Sequence, residues 1–418
     1  MIKLIEKIEG EAKLDFQFHD GKIEAVSVDF MSTRHIENIL QNKPALDALV
    51  INPRVCGICG HAHLIATVQA LESCYDTIEI SLKAQIVREL TLNFELIQNH
   101  FKWFYLTIFP FFQNRQDINK ALYPSRLLSK AIAVFGGQYP HTSYAIVGGI
   151  TSEMTTMDVV QVGRYIDEVL EFYENTLLNV DETSLYTLDA KKLFSHKGDL
   201  VEILKQIENN GWSELGKSYN RFICFGENSF FKKAKYKNRR LHVNPTLEHV
   251  HETEVATSFA KSVYYSNEHY EVGPLARGII NKDTLVKSLH DIYGDSIISR
   301  ISARVFEAVS LLHHSKKLLK SLDLSQPSYI QPPIDISNLS ASGKSAVEAA
   351  RGSLIHKVEL QEGIIKKYEI ITPTQWNLCG DEKHSLGVSQ KAMIGLEDIK
   401  TAEMVFKTFD VCSVCTTH

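Results

Sequence analysis

Two C-x-x-C pairs, Cys56/Cys59 and Cys412/Cys415, stand near opposite ends of a 418-residue chain, with 352 residues between Cys59 and Cys412. A C-x-x-C turn puts both sulfurs on one side of a tight loop, where they can share a metal, and two such loops supply four thiolates. If the pairs meet, they close almost the whole chain around one site. The expectation is therefore a single integrated domain over residues 1–418. It divides into a β-containing N-terminal segment (1–53), a mainly helical core (54–323), and a last part (324–418) with a β-hairpin and the C-terminal metal-binding segment. The other three cysteines, Cys74, Cys224 and Cys379, are isolated. An odd total argues against a disulfide framework, and each isolated cysteine reads as a buried apolar thiol. Spacing alone leaves the chemistry open. A structural zinc site normally keeps its two knuckles much closer together, another metal fits equally well, and a thioredoxin-like redox pair needs a βαβ context that residues 40–75 do not offer.

With 44% hydrophobic and 23% charged residues and a formal charge of −5, the composition is that of a globular protein. The nearest thing to a basic run, Lys232 to Arg240, reads as a solvated loop, so no nucleic-acid partner is expected. There is no uninterrupted apolar window of about 18 residues, and the stretch Trp103 to Phe112 is broken by Pro110. The N-terminus reaches Glu6 too soon for a signal peptide. A cytoplasmic location follows as the expectation, with membrane association only through partners.

Alternating residues 12–18 and 23–28 around Asp20-Gly21 predict a hairpin. Residues 62–73, 82–108, 158–178 and 297–322 predict long helices, the second carrying Leu82, Ile86, Leu90, Phe94, Ile97, Phe101 and Tyr105 at spacings of three or four. Residues 325–337, with Pro327, Pro332 and Pro333, predict an extended connection. Residues 354–360 and 364–371 predict a second hairpin around Glu362-Gly363. The fold class expected is α+β, mainly α: a central helix bundle with small peripheral β-hairpins.

The words around the cysteines narrow the chemistry. In order along the chain they are Ile8-Glu9-Gly10, Arg54-Val55-Cys56-Gly57-Ile58-Cys59, Gly136-Gly137-Gln138-Tyr139-Pro140-His141 with Gly148-Gly149, and Glu271-Val272-Gly273-Pro274-Leu275-Ala276-Arg277. They continue with Glu348-Ala349-Ala350-Arg351-Gly352 through Pro373-Thr374-Gln375-Trp376-Asn377, and end with Phe409-Asp410-Val411-Cys412 to His418. In this set and order the sequence resembles the large subunit of nickel–iron hydrogenases, from about residue 5 to residue 418.

The resemblance implies an enzyme that splits H2 reversibly and heterolytically into protons and electrons, working in the uptake direction. The alternative is an H2-sensing regulatory subunit. The resemblance also implies a Ni-Fe(CN)2(CO) centre. Cys56 and Cys412 are then terminal nickel ligands, and Cys59 and Cys415 bridge nickel to iron. Cys412 is the expected first proton acceptor, and Glu9 resembles the glutamate that relays the proton outward. Arg351 resembles an arginine poised over the metals and Asp410 the acid that holds that region. Thr372, Pro373 and Thr374 resemble a pocket receiving one cyanide, and His63 a histidine bonded to a bridging sulfur. Glu37, the carbonyl of Ile370 and His418 match positions around a Mg2+ ion. No iron–sulfur cluster is expected in this chain, so electrons leave through an iron–sulfur small subunit, and maturation proteins build the site. A metal-free relative acting on quinones is disfavoured by the four retained cysteines, and a zinc scaffold remains the distant alternative. Four departures from the family pattern stand out: Lys7 and Glu11 beside Glu9, Ala350 before Arg351, and Val411 before Cys412. Many relatives place an aspartate near the metals from the long helix after the first cysteine pair; here residues 98–110 offer His100 but no acid, and that role stays unassigned.

Overall fold

In the computed structural model, residues 2–7, 10–31, 33–113, 117–380, 385–410 and 412 are described. The N-terminal part is an antiparallel sheet of β1 (Ile2–Lys7), β2 (Gly10–His19) and β3 (Lys22–Phe30). The hairpin expected around Asp20-Gly21 is β2–β3, with both turn residues at positive φ and a register shift at Gln17/Phe18. A short helix α1 (Ile36–Leu40) follows, then helical turns over Ala48–Ile51 and Asn52–Arg54 that lead into the first cysteine pair.

The helices come next: α2 (Gly60–Glu72), α3 (Leu82–Trp103), α4 (Ile118–Gly136) and α5 (Thr156–Phe172). Ser81 caps α3 by accepting from Ala84 N, and Thr155 with Asp158 forms a capping box on α5. Both α3 and α5 end in π turns, Phe104–Ile108 and Tyr173–Leu177, where the sequence pattern predicts unbroken helix. At the first, Pro110 is the physical reason. It has no N–H for the ladder and its ring would meet the carbonyl four residues back, so a widened turn lets helix resume over Phe109–Gln113.

The segment around Lys232–Arg240, expected as a solvated loop, is instead strand-forming: β4 (Phe222–Cys224), β5 (Ala234–Lys237) and β6 (Arg240–Val243) make an antiparallel sheet. Its turn residues Asn238 and Arg239 both take positive φ. Helix α6 (Pro274–Asn281) then packs on the 25-residue helix α7 (Ile297–Ser321). The Pro-rich segment is extended up to a 3-10 turn at Ile336–Asn338, and it bonds through Ser328 O and Ile330 N to Ile150 and Gly148.

The second predicted hairpin is β8 (Gly352–Gln361) and β9 (Ile364–Ile371), but a third strand, β7 (Ala341–Ala349), pairs with β8 and was not legible in the sequence. Helix α8 (Pro373–Leu378), a helical segment Val388–Met393 and helix α9 (Ile399–Thr408) precede Cys412. The main apolar core runs from Ala12 in β2 to Cys412, beside a smaller cluster around Phe225, Tyr265 and Trp376. Among the described residues no helix is long and apolar enough to cross a membrane. The architecture is mainly helical with small antiparallel sheets.

Helix α2 leaves the first cysteine pair and lies against β7 and β8, so the sheet fixes where that pair sits. The approach is close enough at Gly343 that a Cβ there would overlap the Ala70 carbonyl oxygen and come within 2.6 Å of Cys74 Sγ. Gly343→Ala should therefore destabilise the fold by about 1–3 kcal/mol, read as a lowered midpoint in denaturant unfolding.

Candidate metal centre

Cys56 and Cys59 flank a tight loop between the 3-10 turn Asn52–Arg54 and the first residue of α2. Three contacts hold that loop. Arg34 Nη1 donates to Val55 O at 3.1 Å, Asn99 Nδ2 donates to Ile58 O at 2.7 Å, and Asn52 Nδ2 donates to Thr67 Oγ1 at 2.8 Å. Gly60 must be glycine, because a Cβ would overlap the Pro53 carbonyl oxygen. The start of α2 has bare N–H groups, and the Glu95 carboxylate on α3 accepts from two of them, His61 N and Ala62 N, at 2.9 Å each. Burial pushes the Glu95 carboxyl up to about 7 despite these bonds.

The sulfurs of Cys56 and Cys59 touch across the loop, and Cys59 N donates to Cys56 Sγ at 3.3 Å. Cys412, from the far end of the chain, brings its sulfur to 3.6 Å from that of Cys56. The three sulfurs lie within 4.8 Å of one another, all on buried residues. Helical turns rather than a strand lead directly into the first pair, so the βαβ frame of a thioredoxin-like site is absent among the described residues there. Cys415 lies outside the described residues, as do Glu9, Val411 and His418.

Beside Cys412 stands a buried ion network. Asp410 sits at φ 60° just past α9, and its carboxylate bonds Arg304 Nη1 at 3.1 Å and Arg351 Nη2 at 3.2 Å. Arg351 Nε also donates to Asp410 O at 3.1 Å. Arg351 occupies the two-residue turn between β7 and β8. Gly273 packs under that turn, and a Cβ on it would lie only 2.7 Å from Arg351 O, which explains the glycine of the Glu271-Val272-Gly273-Pro274 word. Arg277 Nη1 donates to Ala349 O at 2.9 Å and Nη2 to Ala350 O at 3.3 Å, while Arg304 also reaches Ala350 O at 3.3 Å.

Arg277 is bidentate to Glu307 at 2.6 and 2.7 Å and bonds Glu348 at 2.9 Å. Glu307 in turn bonds His100 Nε2 at 2.9 Å, and His100 Nδ1 lies 3.3 Å from Arg304 Nη1. Burial works against the Glu307 charge, but Arg277 and the His100 bond outweigh it and bring the carboxyl down to about 2. Burial first, with Arg304 adding to it, lowers His100 to about 4.

The remaining expected residues fall into three groups. Glu37 Oε1 accepts from Ile370 N at 2.7 Å, joining α1 to the edge strand β9. In a strand the N–H and C=O of one residue leave on the same side, so the Ile370 carbonyl faces Glu37 as well. His63, one turn after Cys59, is buried with Nδ1 3.1 Å from His356 Nε2, and His356 Nδ1 lies 2.8 Å from the Tyr368 hydroxyl. Thr372 and Pro373 start α8, and Thr374 Oγ1 is buried with no hydrogen-bond partner among the described residues. His61, given no role, bonds Thr91 Oγ1 at 3.0 Å in the core.

Sequence reasoning assigns nothing to Arg277, Arg304, Glu307, Glu348, His356 or Glu95. The first and fourth sit inside the family words. Arg300, Arg304 and Glu307 recur at four and three residues on the buried first half of α7, among Ile297, Ile301, Val305 and Ala308, the signal that could have marked them.

The profile of the nickel-dependent hydrogenase family matches residues 34–108 and 220–418, more than half of the chain. The chain belongs to the nickel-dependent hydrogenase family. It is 24% identical to the alpha chain of sulfhydrogenase 1 from Pyrococcus furiosus, covering 99% of this chain and 96% of that one. It is 24% identical to the periplasmic [NiFeSe] hydrogenase large subunit of Desulfomicrobium baculatum (99% and 93%). It is 23% identical to the alpha chain of the coenzyme F420 hydrogenase from Methanothermobacter thermautotrophicus (98% and 92%). Its fold matches the Ni-Fe-Se hydrogenase of D. vulgaris Hildenborough with a TM-score of 0.85 over 100% of both chains at 22% identity. The protein is thus a hydrogenase large subunit, an oxidoreductase acting on H2, and the buried cysteine cluster is where this family's nickel chemistry belongs.

Glu95 gives the hydrogenase fold a pH signature. Its carboxyl is raised from 4.5 to about 7, so the folded state holds a proton that the unfolded chain has lost. Its contribution to stability is therefore present below about pH 4.5 and lost as pH rises to about 7, on the order of 3 kcal/mol in all. Glu95→Gln should flatten thermal unfolding between about pH 5 and 7.5 relative to wild type, and an unchanged slope would show that Glu95 stays ionised.

Proposed function

We propose that this chain is the catalytic subunit of a nickel–iron hydrogenase working in the H2-oxidising direction, paired with an iron–sulfur small subunit. The observation that carries the reading is the convergence of three buried sulfurs from opposite ends of the chain, joined in sequence by a fourth at Cys415. Buried, closely spaced sulfurs are a soft donor set for a thiophilic metal, and membership of a nickel-dependent family makes nickel that metal. An unpartnered buried Thr374 hydroxyl supplies a donor suited to a small anionic ligand such as cyanide.

Cys56 and Cys412 would be terminal nickel ligands, with Cys59 and Cys415 shared with an iron that carries one carbon monoxide and two cyanides. When bound, this centre supplies the heterolytic splitting of H2. The chain's own groups do the rest. The Cys412 sulfur accepts the first proton and Glu9 passes it outward. Arg351, held by Asp410 along its Nε/Nη2 edge, would present a fixed positive charge and N–H donors to one cyanide. Thr372, Pro373 and Thr374 line the pocket for the other cyanide. His63, set by His356, would bond one of the metal-holding sulfurs and tune its basicity. Glu37 and the Ile370 carbonyl already share one side of β9, where with His418 and waters they would surround Mg2+.

Cys74, Cys224 and Cys379 are buried and scattered, with burial raising the Cys74 thiol to about 11, so they are poor cluster ligands. Electrons therefore exit through the small subunit. Maturation proteins would insert the metals, and the complex would work in the cytoplasm, touching membranes only through partners.

The deciding experiment is infrared spectroscopy of the natively matured complex under H2 and argon. One carbon monoxide band and two cyanide bands that shift with H2 are expected, and mature, metal-loaded protein without them would sink the reading. Cys412→Ser should lose nickel. Glu9→Gln should keep metals and bands while H2 turnover falls about 100-fold.

A further inference from the structure

His100 lies at the centre of the buried ion network without belonging to any word that identifies the family. It is 2% exposed on α3, between Arg304 and Glu307 of α7. Its two ring nitrogens have different partners: Nδ1 faces Arg304 Nη1 at 3.3 Å and Nε2 faces Glu307 Oε1 at 2.9 Å. A guanidinium can only donate, so Nδ1 must accept. A carboxylate held ionised by Arg277 accepts, so Nε2 must carry the proton. The surroundings thus select one neutral tautomer. A doubly protonated ring would aim an N–H at a buried guanidinium, and a carboxylate at this position would face Glu307 (both costly for buried groups).

The connection continues to the metal centre. Arg304 stacks on Trp103 at 4.7 Å and shares the Asp410 carboxylate with Arg351, while Arg277 ties Glu307 and Glu348 to the backbone of the turn that carries Arg351. Arg351, Arg304 and Arg277 face Asp410, Glu307 and Glu348, so the network balances only if its seventh member is uncharged.

We propose that His100 is a positioning residue of this site, a neutral acceptor–donor link that joins Arg304 to Glu307 and thereby holds Asp410 and the Arg351 guanidinium in place. The inference rests on the proposed role of Arg351 at a nickel–iron centre. It gives a function to the side chain by which α3 joins this ion network.

The test compares His100→Leu, which keeps bulk and removes both bonds, with His100→Gln, which restores one acceptor and one donor. Both are made in the natively matured complex. Nickel and iron content, the carbon monoxide and cyanide infrared bands, and H2 oxidation are measured together. The expected result is wild-type metal content in both variants. In the Leu variant the cyanide bands shift and turnover falls about 10- to 100-fold, as for lost outer-sphere partners of metal sites. In the Gln variant both return toward wild type. Unshifted bands in the Leu variant, or equal shifts in Leu and Gln, would overturn the inference while leaving the hydrogenase reading intact. Absence of the three bands from the wild type would overturn that reading and the inference with it. If the Leu variant does not mature, neutron diffraction of the wild-type complex decides. A proton on Nε2 alone supports the link, and one on Nδ1 refutes it.

Discussion

The structure depends on a set of buried charges: Asp410 held between Arg304 and Arg351. Taking such groups out of solvent costs several kcal/mol per ion, and removing one partner from a buried pair typically costs about 3–5 kcal/mol. The arrangement persists because every charge has an opposite neighbour and the carbonyls of the Ala349–Ala350 turn take further donors. The same contacts tie the last helix α9, the β7–β8 turn and the long helix α7 to one another. Cys412, two residues past Asp410, is thereby delivered to the first cysteine pair. Closing a loop of this size is entropically mild, since the cost grows only by about 0.6 kcal/mol for each doubling of length. The orientation of the sulfurs is the harder requirement, and the ion network meets it.

Helix α3 serves as the frame for both halves of the site. Glu95 and Asn99, one turn apart, hold the start of α2 and the Ile58 carbonyl, and His100 beside them reaches α7. A helix capped at Ser81 and buried along most of its length is a rigid support, so these polar groups are set by packing rather than by their own flexibility. The polar residues on its buried face are the part of α3 that a hydrophobic stripe alone cannot explain.

Long periodic helices, the Asp-Gly hairpin and the hairpin at Glu362-Gly363 were legible because their signals are local. Strand β7 was not. Its residues, Ala341 to Ala349, are mostly small and polar, and Gly343 is there because α2 passes so close to it. The basic hairpin at Ala234–Val243 was hidden for a related reason: alternating lysines look like a solvated loop until β4 supplies a pairing edge. The π turn at Phe104 answers to Pro110, which a count of apolar periodicity passes over, and the one at Tyr173 carries no such local mark.

The sequence alone determined the donor chemistry, because four cysteines in two C-x-x-C words and their flanking residues are covalent facts that survive any folding. It also determined the helical character of the middle of the chain, since period and capping act within a few residues. Tertiary structure decided which charges face one another: that Arg351 shares Asp410 with Arg304, that His100 stands between Arg304 and Glu307, and that Glu37 meets the edge of β9. Those outcomes join residues from tens to hundreds of positions apart. Electrostatic energy in a buried site depends on distances of a few ångströms, and only the folded chain sets those distances.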